Sequence, residues 1–225
     1  MNPLRLLLLG APGSGKGTQT SKLLKHFDHV KSVSSGDLLR QQIRLNTDLG
    51  HIAAKYIAEG KLLPDSFVTG LVLNELSSRR WLSSKSTWLL DGFPRTVSQA
   101  KSLRSELKPH GATLNMVVEL DVPESVILER IENRYVHVPS GRVYNLTYNP
   151  PKVAGRDDVT GEPLSKRSDD TAEVFGARLA NYRETLSPLK AFYSKIGILH
   201  KVSGETSDII FPQLLELVQR ELTKN

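Results

Sequence analysis

The sequence predicts an α/β fold: a central parallel sheet flanked by helices and interrupted by a β-rich insert. Three observations predict it. Apolar runs of strand length alternate with amphipathic runs of helical length. The first apolar run, Leu6 to Leu9, stops at the glycine-rich stretch Gly10–Thr18 and passes into a basic amphipathic segment. The alternation then breaks between Arg134 and Asp170, where no helical period survives.

Taken in order, the first strand and its turn lead into a helix from Lys16 to Phe27, with Leu23, Leu24 and Phe27 at helical spacing. Val30 to Val33 is a short second strand. Ser34-Ser35-Gly36-Asp37 looks like a capped helix start. A further helix spans Leu49 to Glu59, with Ile52, Ala53, Tyr56 and Ile57 in period, and ends at Gly60. Asp65 to Arg79 is the next helix, with Val68, Leu71, Val72 and Leu76 on one face. Trp88 to Asp91 is a buried strand ending at Gly92. Ser98 to Leu107 is a helix, Met116 to Leu120 a strand, and Pro123 to Asn133 a helix opened by proline. In the break, Val136 and Val138 alternate with polar neighbours, and Ser140-Gly141, Pro150-Pro151 and Thr160-Gly161 punctuate the chain. Helix resumes at Ala172 and runs towards Tyr193. Ile198 to Val202 is the last strand and Ile209 to Leu222 the closing helix. A chain of 225 residues has room for one large domain or a core with inserts.

The glycine-rich stretch carries the first chemistry. Gly10, Gly15 and Lys16 fit the spacing G-x-x-x-x-G-K of a phosphate-binding loop. Glycines let successive backbone N–H groups close around a polyphosphate, and the following helix adds its N-terminal donors. Lys16 supplies a full charge. Gly17 stands where Ser or Thr usually contacts magnesium, and Thr18 comes one place later. A magnesium ion here leans on phosphate oxygens and water. The dinucleotide fingerprint G-x-G-x-x-G fails, because Thr18 occupies its third glycine place.

Composition narrows the classes. There is no cysteine, which excludes disulfides, thiolate nucleophiles and cysteine-ligated zinc. No apolar run approaches membrane-spanning length, so no membrane partner is expected. The net charge of +6 suits phosphate-rich ligands as well as nucleic acid. With 6% aromatic residues and charge spread along the chain, a nucleic-acid surface is not expected. The four-leucine run is too short for a signal-peptide core, and the Asn145-Leu146-Thr147 sequon has no secretory context. Arg5, Lys16, Lys22 and Lys25 precede the first acid, Asp28. That is the composition of an uncleaved mitochondrial address. It is also what a phosphate loop that avoids acids would show in a cytoplasmic protein.

The second constellation is arginine at turns and element ends. Asp91-Gly92-Phe93-Pro94-Arg95 follows a strand, at the carboxyl edge of the sheet where open α/β sheets bind ligands. Asp91 can hold a water of magnesium, and Arg95 can grip a phosphate with its fork. Arg40 sits on a helix just after a turn. Arg134 opens the insert, Arg167 closes it, and Arg178 lies about three helical turns further on. Asp157-Asp158 and Asp169-Asp170 are expected to pair with arginines or cap turns. No nucleophile or general base stands out, and the six histidines have no metal-ligand spacing. An acceptor that is itself a phosphate needs no base, because its oxygen is already ionised.

With these residues in view, the chain resembles the adenylate kinase family. The resemblance runs in order through Gly10–Thr18, Ser35-Gly36-Asp37-Leu38-Leu39-Arg40, Gly60-Lys61-Leu62, Asp91-Gly92-Phe93-Pro94-Arg95 with Gln99, and Ser140-Gly141-Arg142-Val143-Tyr144. It continues through Asn149-Pro150-Pro151, Asp158-Val159-Thr160-Gly161-Glu162 and Arg167 with Asp169-Asp170. Ser34-Ser35-Gly36, Lys61 to Asp65, Trp88-Leu89-Leu90 and Ser203 to Thr206 are most similar to its mitochondrial GTP:AMP phosphotransferase branch.

The resemblance implies a P-loop nucleoside monophosphate kinase fold. Its core would be residues 1–34, 65–133 and 171–225, with an AMP-binding insert at 35–64 and a lid at 134–170. Gly13, Ser14, Gly15, Lys16, Gly17, Thr18, Arg130, Arg134, Val143, Tyr144 and Thr206 would hold the donor triphosphate. Ser35, Arg40, Leu62, Leu63, Gly92, Arg95, Gln99, Arg167 and Arg178 would hold AMP. Lys16, Arg95, Arg134, Arg167 and Arg178 would surround the transferring phosphoryl group, with Mg²⁺ as cofactor and Asp91 reaching it through water. His137, Ser140, Asp157 and Thr160 stand where zinc-bearing relatives have metal ligands. A hydrogen-bonded polar cluster fits them better, so no structural zinc is expected. The implied enzyme is a monomer that converts GTP or another NTP plus AMP to NDP plus ADP. An ATP:AMP kinase is the alternative donor reading. A P-loop GTPase switch is more remote: Asp158-Val159-Thr160-Gly161 matches D-x-x-G, but there is no Asn-Lys-x-Asp guanine motif.

Overall fold

The computed structural model describes residues 2–167 and 169–224. In chain order its elements are β1 (Arg5–Gly10), α1 (Lys16–His26), β2 (Lys31–Ser34), α2 (Ser35–Arg44), α3 (Asp48–Ala58), α4 (Asp65–Ser78), β3 (Trp88–Asp91) and α5 (Val97–Leu107). They continue with β4 (Met116–Asp121), α6 (Glu124–Glu132), β5 (Arg134–Val136), β6 (Val143–Asn145), α7 (Ala172–Ile196), β7 (Leu199–Ser203) and α8 (Ser207–Thr223). Every predicted strand and helix is present. A short 3-10 turn at Lys108–His110, which has no period long enough to read, follows α5.

Five parallel strands form the main sheet in the order β2-β3-β1-β4-β7. The leucine run of β1 is buried on both faces. Leu7 and Leu9 join Val72, Leu90, Leu103 and Leu189 on one side. Leu6 and Leu8 join Leu23, Val118, Ile127, Ile210 and Leu214 on the other. Burial on both sides is why this strand reads as an unbroken apolar run rather than an alternation. The chain leaves β1 towards β2 on one side and later reaches β4 on the other. The turn after β1 therefore opens at the crevice where ligands of doubly wound sheets bind.

The helix starts follow from their caps. Ser34, Thr47, Thr96, Thr171 and Thr206 each accept a backbone N–H at the start of α2, α3, α5, α7 and α8. α7 runs for 25 residues through Pro188. The proline removes one donor, but its would-be partner, the carbonyl of Glu184, lies on an exposed turn where water can serve it. Arg5, counted above among the basic N-terminal residues, is buried. It donates to the carbonyls of Thr113 at 2.7 Å and Ser84 at 2.9 Å, so its charge serves the fold.

β5 and β6 pair antiparallel outside the main sheet, extended by single bridges from Val136 to Ser165 and from Arg156 to Pro163. Polar groups hold this segment together. Asp157 accepts from Arg142 Nε at 2.7 Å and Nη2 at 2.6 Å, from Tyr144 Oη at 2.9 Å, and from Thr160 N and Oγ1 at 2.8 and 2.9 Å. These donors hold its carboxyl well below the usual carboxylate range, with Arg142 contributing most. His137 is buried, with Nδ1 2.7 Å from Ser140 Oγ and Nε2 2.6 Å from Glu162 Oε2.

Candidate active site

The turn after β1 is shaped by two glycines in the left-handed region, Gly13 at φ +83° and Gly15 at φ +94°. A Cβ on Gly13 would lie 3.0 Å from Ile127 and 3.1 Å from Ile131 of α6, so the loop is also pressed against that helix. Ser14 is buried, and its Oγ has no partner among the described residues. Lys16 opens α1 and bends back over the turn, donating from Nζ to the carbonyls of Gly10 at 2.8 Å and Ala11 at 2.9 Å. Gly17 and Thr18 form the exposed first turn.

Across the crevice, β3 ends at Asp91 and the chain turns at Gly92, φ +75°. The carbonyl of Gly92 accepts from Ser35 Oγ at 2.7 Å and from Arg95 Nε at 2.6 Å. Gln99 is buried; its Oε1 accepts from Arg95 N at 2.7 Å and its Nε2 donates to Asp65 at 2.8 Å. Asp65 also accepts from Thr96 Oγ1 at 2.9 Å. Arg95 is thus fixed from its backbone and its side chain. Arg40 pairs with Asp37 one turn back on α2. Leu63 packs into the core and Leu62 is half-buried beside it, which leaves their backbone as the polar surface.

Arg134 and Arg178 are held by neighbouring carboxylates. Arg134 makes a two-pronged pair with Asp170, and Arg178 Nη1 lies 2.7 Å from Asp169. The sequence expectation that this acidic pair meets arginines describes the contacts found. Arg167 stands near Arg40 and Arg134.

The electrostatics show the convergence. Burial lowers Lys16 to about 8; Asp91 opposes this, while Arg95, Arg178 and Arg134 add to it. Burial lowers Arg95 to about 10, with Arg178 and Arg40 contributing. Burial lowers Arg167 to about 10, with Arg40 and Arg134 contributing. Arg178 is lowered in the same way. Asp91 is raised by burial, against the pull of Lys16 and Arg95. Residues from the β1 loop, α2, the turn after β3, β5 and α7 therefore share one cationic site. Concentrated positive charge with backbone donors at a helix N-terminus is built for an anion of several charges.

The crevice extends from the Gly10–Thr18 loop towards α8. Arg130 Nη1 donates to Ser14 O at 3.0 Å and Nη2 to Glu205 O at 2.7 Å, and its guanidinium lies 5.5 Å from the Tyr148 ring centre. Thr206 spends its hydroxyl on capping α8. Tyr144 turns its side chain into the β5–β6 segment, which leaves only its backbone for a ligand, whereas the Val143 side chain is exposed. Sequence reading missed Gln19, a buried residue whose Nε2 donates to Ser207 Oγ at 2.9 Å. It ties the phosphate-loop helix to the start of α8. Nothing in its position along α1 separates it from an exposed glutamine.

A family model described as adenylate kinase matches residues 8–198. The chain belongs to the adenylate kinase family. Among curated adenylate kinase relatives, a mitochondrial GTP:AMP phosphotransferase of Saccharomyces cerevisiae is 66% identical over 218 residues, covering 97% of this chain and 93% of its own. A mitochondrial GTP:AMP phosphotransferase of Drosophila melanogaster is 44% identical over 210 residues, 93% of each chain. An adenylate kinase of Malassezia globosa is 40% identical over 205 residues, 91% of this chain and 79% of the relative. As an adenylate kinase family member the protein is a nucleoside monophosphate kinase.

Proposed function

We propose that the enzyme transfers the γ-phosphoryl group of GTP to AMP, giving GDP and ADP. The single observation that carries the two-nucleotide reading is the convergence of Lys16, Arg95, Arg134, Arg167 and Arg178 on one crevice without a catalytic base. The preference for guanine rests on the names of the relatives at 66% and 44% identity. Gly13 to Thr18, Arg130, the backbone of Val143 and Tyr144, and the stretch ending at Thr206 hold the donor. Ser35, Arg40, the Leu62-Leu63 backbone, Gly92, Arg95 and Gln99 hold AMP, with Arg167 and Arg178 on its phosphate.

A phosphate oxygen of AMP attacks the γ-phosphorus in line, and the arginines and Lys16 stabilise the charge spread over the equatorial oxygens. Holding both nucleotides in register can supply about 7–11 kcal/mol of the barrier. Residues 134–170 act as a lid that brings Arg134 and Arg167 to the phosphates and keeps water out. Residues 35–64 act as the acceptor insert.

The site fits magnesium in a specific way. Asp91 is the buried carboxylate facing Gly17, its Oδ2 3.9 Å from where a Cβ there would sit, and no hydroxyl stands at position 17. Asp91 would hold the ion through water, and the ion's charge would offset that of the donor phosphates. The His137–Asp157 cluster serves as the lid's polar core in place of zinc. The monomer reading rests on the resemblance to the family. The relatives' names and the acid-free start before Asp28 support a mitochondrial location, with residues 1–30 retained because they form β1 and the phosphate loop.

Donor choice is tested by competing GTP, ITP and ATP at equal concentration with AMP and Mg²⁺. GTP consumed first supports the reading; ATP consumed first makes the enzyme an ATP:AMP kinase.

A further inference from the structure

α3 ends at Ala58 with Glu59 as its C-cap, and Gly60 follows at φ +66°. This glycine lies directly on α7. A Cβ there would come within 2.7 Å of Val174 O, 3.0 Å of Ala177 Cβ and 3.3 Å of Arg178 Cγ. Its carbonyl accepts from Asn181 Nδ2 at 2.9 Å. Val174, Ala177, Arg178 and Asn181 are spaced three, four and seven along the helix, so they form one face. Two neighbours make the contact functional. Leu62 and Leu63, whose backbone is assigned above to the acceptor, follow Gly60 almost at once. Arg178 rises from the same face as Asn181.

We propose that Asn181 is a positioning residue for the acceptor: its amide fastens the Gly60 carbonyl to the face of α7 that carries Arg178. The acceptor insert and the arginine on the acceptor phosphate are thereby set at one spacing. Asn181 bonds to Gly60 of the acceptor insert and, among the described residues, to nothing in the Gly10–Thr18 loop, so its effect is expected chiefly on AMP. The missing side chain at position 60 belongs to the same device, since any Cβ would push the insert off the helix. This rests on the proposed phosphoryl transfer to AMP.

The test is steady-state kinetics on Asn181→Leu and Asn181→Asp, two near-isosteres without the donor. AMP and GTP are varied in turn against saturating partner. Removing this one part-buried hydrogen bond predicts a KM for AMP raised about threefold to tenfold, with the KM for GTP unchanged within about twofold. Gly60→Ala, which disturbs the contact from the other side, is expected to raise the KM for AMP as well. In the Gly60→Ala/Asn181→Leu double variant the two factors should not multiply, because both act on one contact. An unchanged KM for AMP in both Asn181 variants overturns the proposal. So does an equal rise in both KM values, which marks general loosening. If the parent enzyme itself makes no ADP from AMP, the functional reading fails, not the positioning role.

Discussion

Arg95 is the residue on which most of the site's local structure converges. Its backbone N–H is taken by Gln99, its Nε by Gly92, and Asp65 fixes Gln99 in turn. Such a held guanidinium stabilises a transition state without first having to be ordered. Arg95→Ala is expected to cut turnover by about 10²–10⁴ with little change in thermal midpoint; a loss under threefold would count against the role. Lys16 gives a second handle. Burial and the arginines lower it to about 8 from an ordinary 10.5. The free protein has therefore lost about half of this proton by pH 8, whereas a bound triphosphate favours the charged form. Donor affinity should fall as pH rises above about 8, with proton uptake on binding, both measurable by calorimetry in buffers of different ionisation heat. Lys16→Met should bind the donor more weakly at pH 7 and flatten this part of the profile. The sign for folding is opposite. The unfolded chain keeps the proton between about 8 and 10.5, so the stability contribution of Lys16 rises with pH across that window.

At the scale of elements, the phosphate loop and the α-helices and strands of the main sheet were legible, because glycine, capping and apolar period are local signals, whereas β5 and β6 were legible only as a β-rich stretch. Leu6 to Leu9 could be read as a strand from length and from the glycine that stops it. The pairing of Arg142 with Asp157 could not, since 15 residues and two turns separate them and only tertiary folding joins them. Gln19 and Asn181 were silent for the same reason: each makes its contact far along the chain, Gln19 with Ser207 and Asn181 with Gly60. The β5–β6 segment buries little apolar surface, with Val138, Val153 and Val159 exposed, so its order depends on the polar cluster around Asp157. Asp157→Ala removes the acceptor of Arg142, Tyr144 and Thr160 together. Amide exchange within residues 134–164 should accelerate about tenfold or more while β1 and β4 stay protected. Equal acceleration in the main sheet would mean that the segment does not open on its own.

At the scale of the molecule, the five-stranded sheet carries the phosphate loop at its crevice, and two excursions of the chain carry the remaining charge. One brings Ser35 and Arg40, the other Arg134 and Arg167, and α7 links them through Arg178. Resemblance in sequence order was enough to assign each arginine a proposed phosphate to bind. It could not give the spacing between the excursions, which is set by contacts such as Gly60 on α7. The central claim is that the crevice holds two nucleotides and passes phosphate only between them. Its most direct test is to incubate the enzyme with Mg²⁺ and GTP, with and without AMP, and to quantify GDP, ADP and inorganic phosphate. The account predicts GDP and ADP in equal amounts with AMP present, and GDP formation slower by about a hundredfold or more without it. GDP and inorganic phosphate released at similar rates with or without AMP would contradict it.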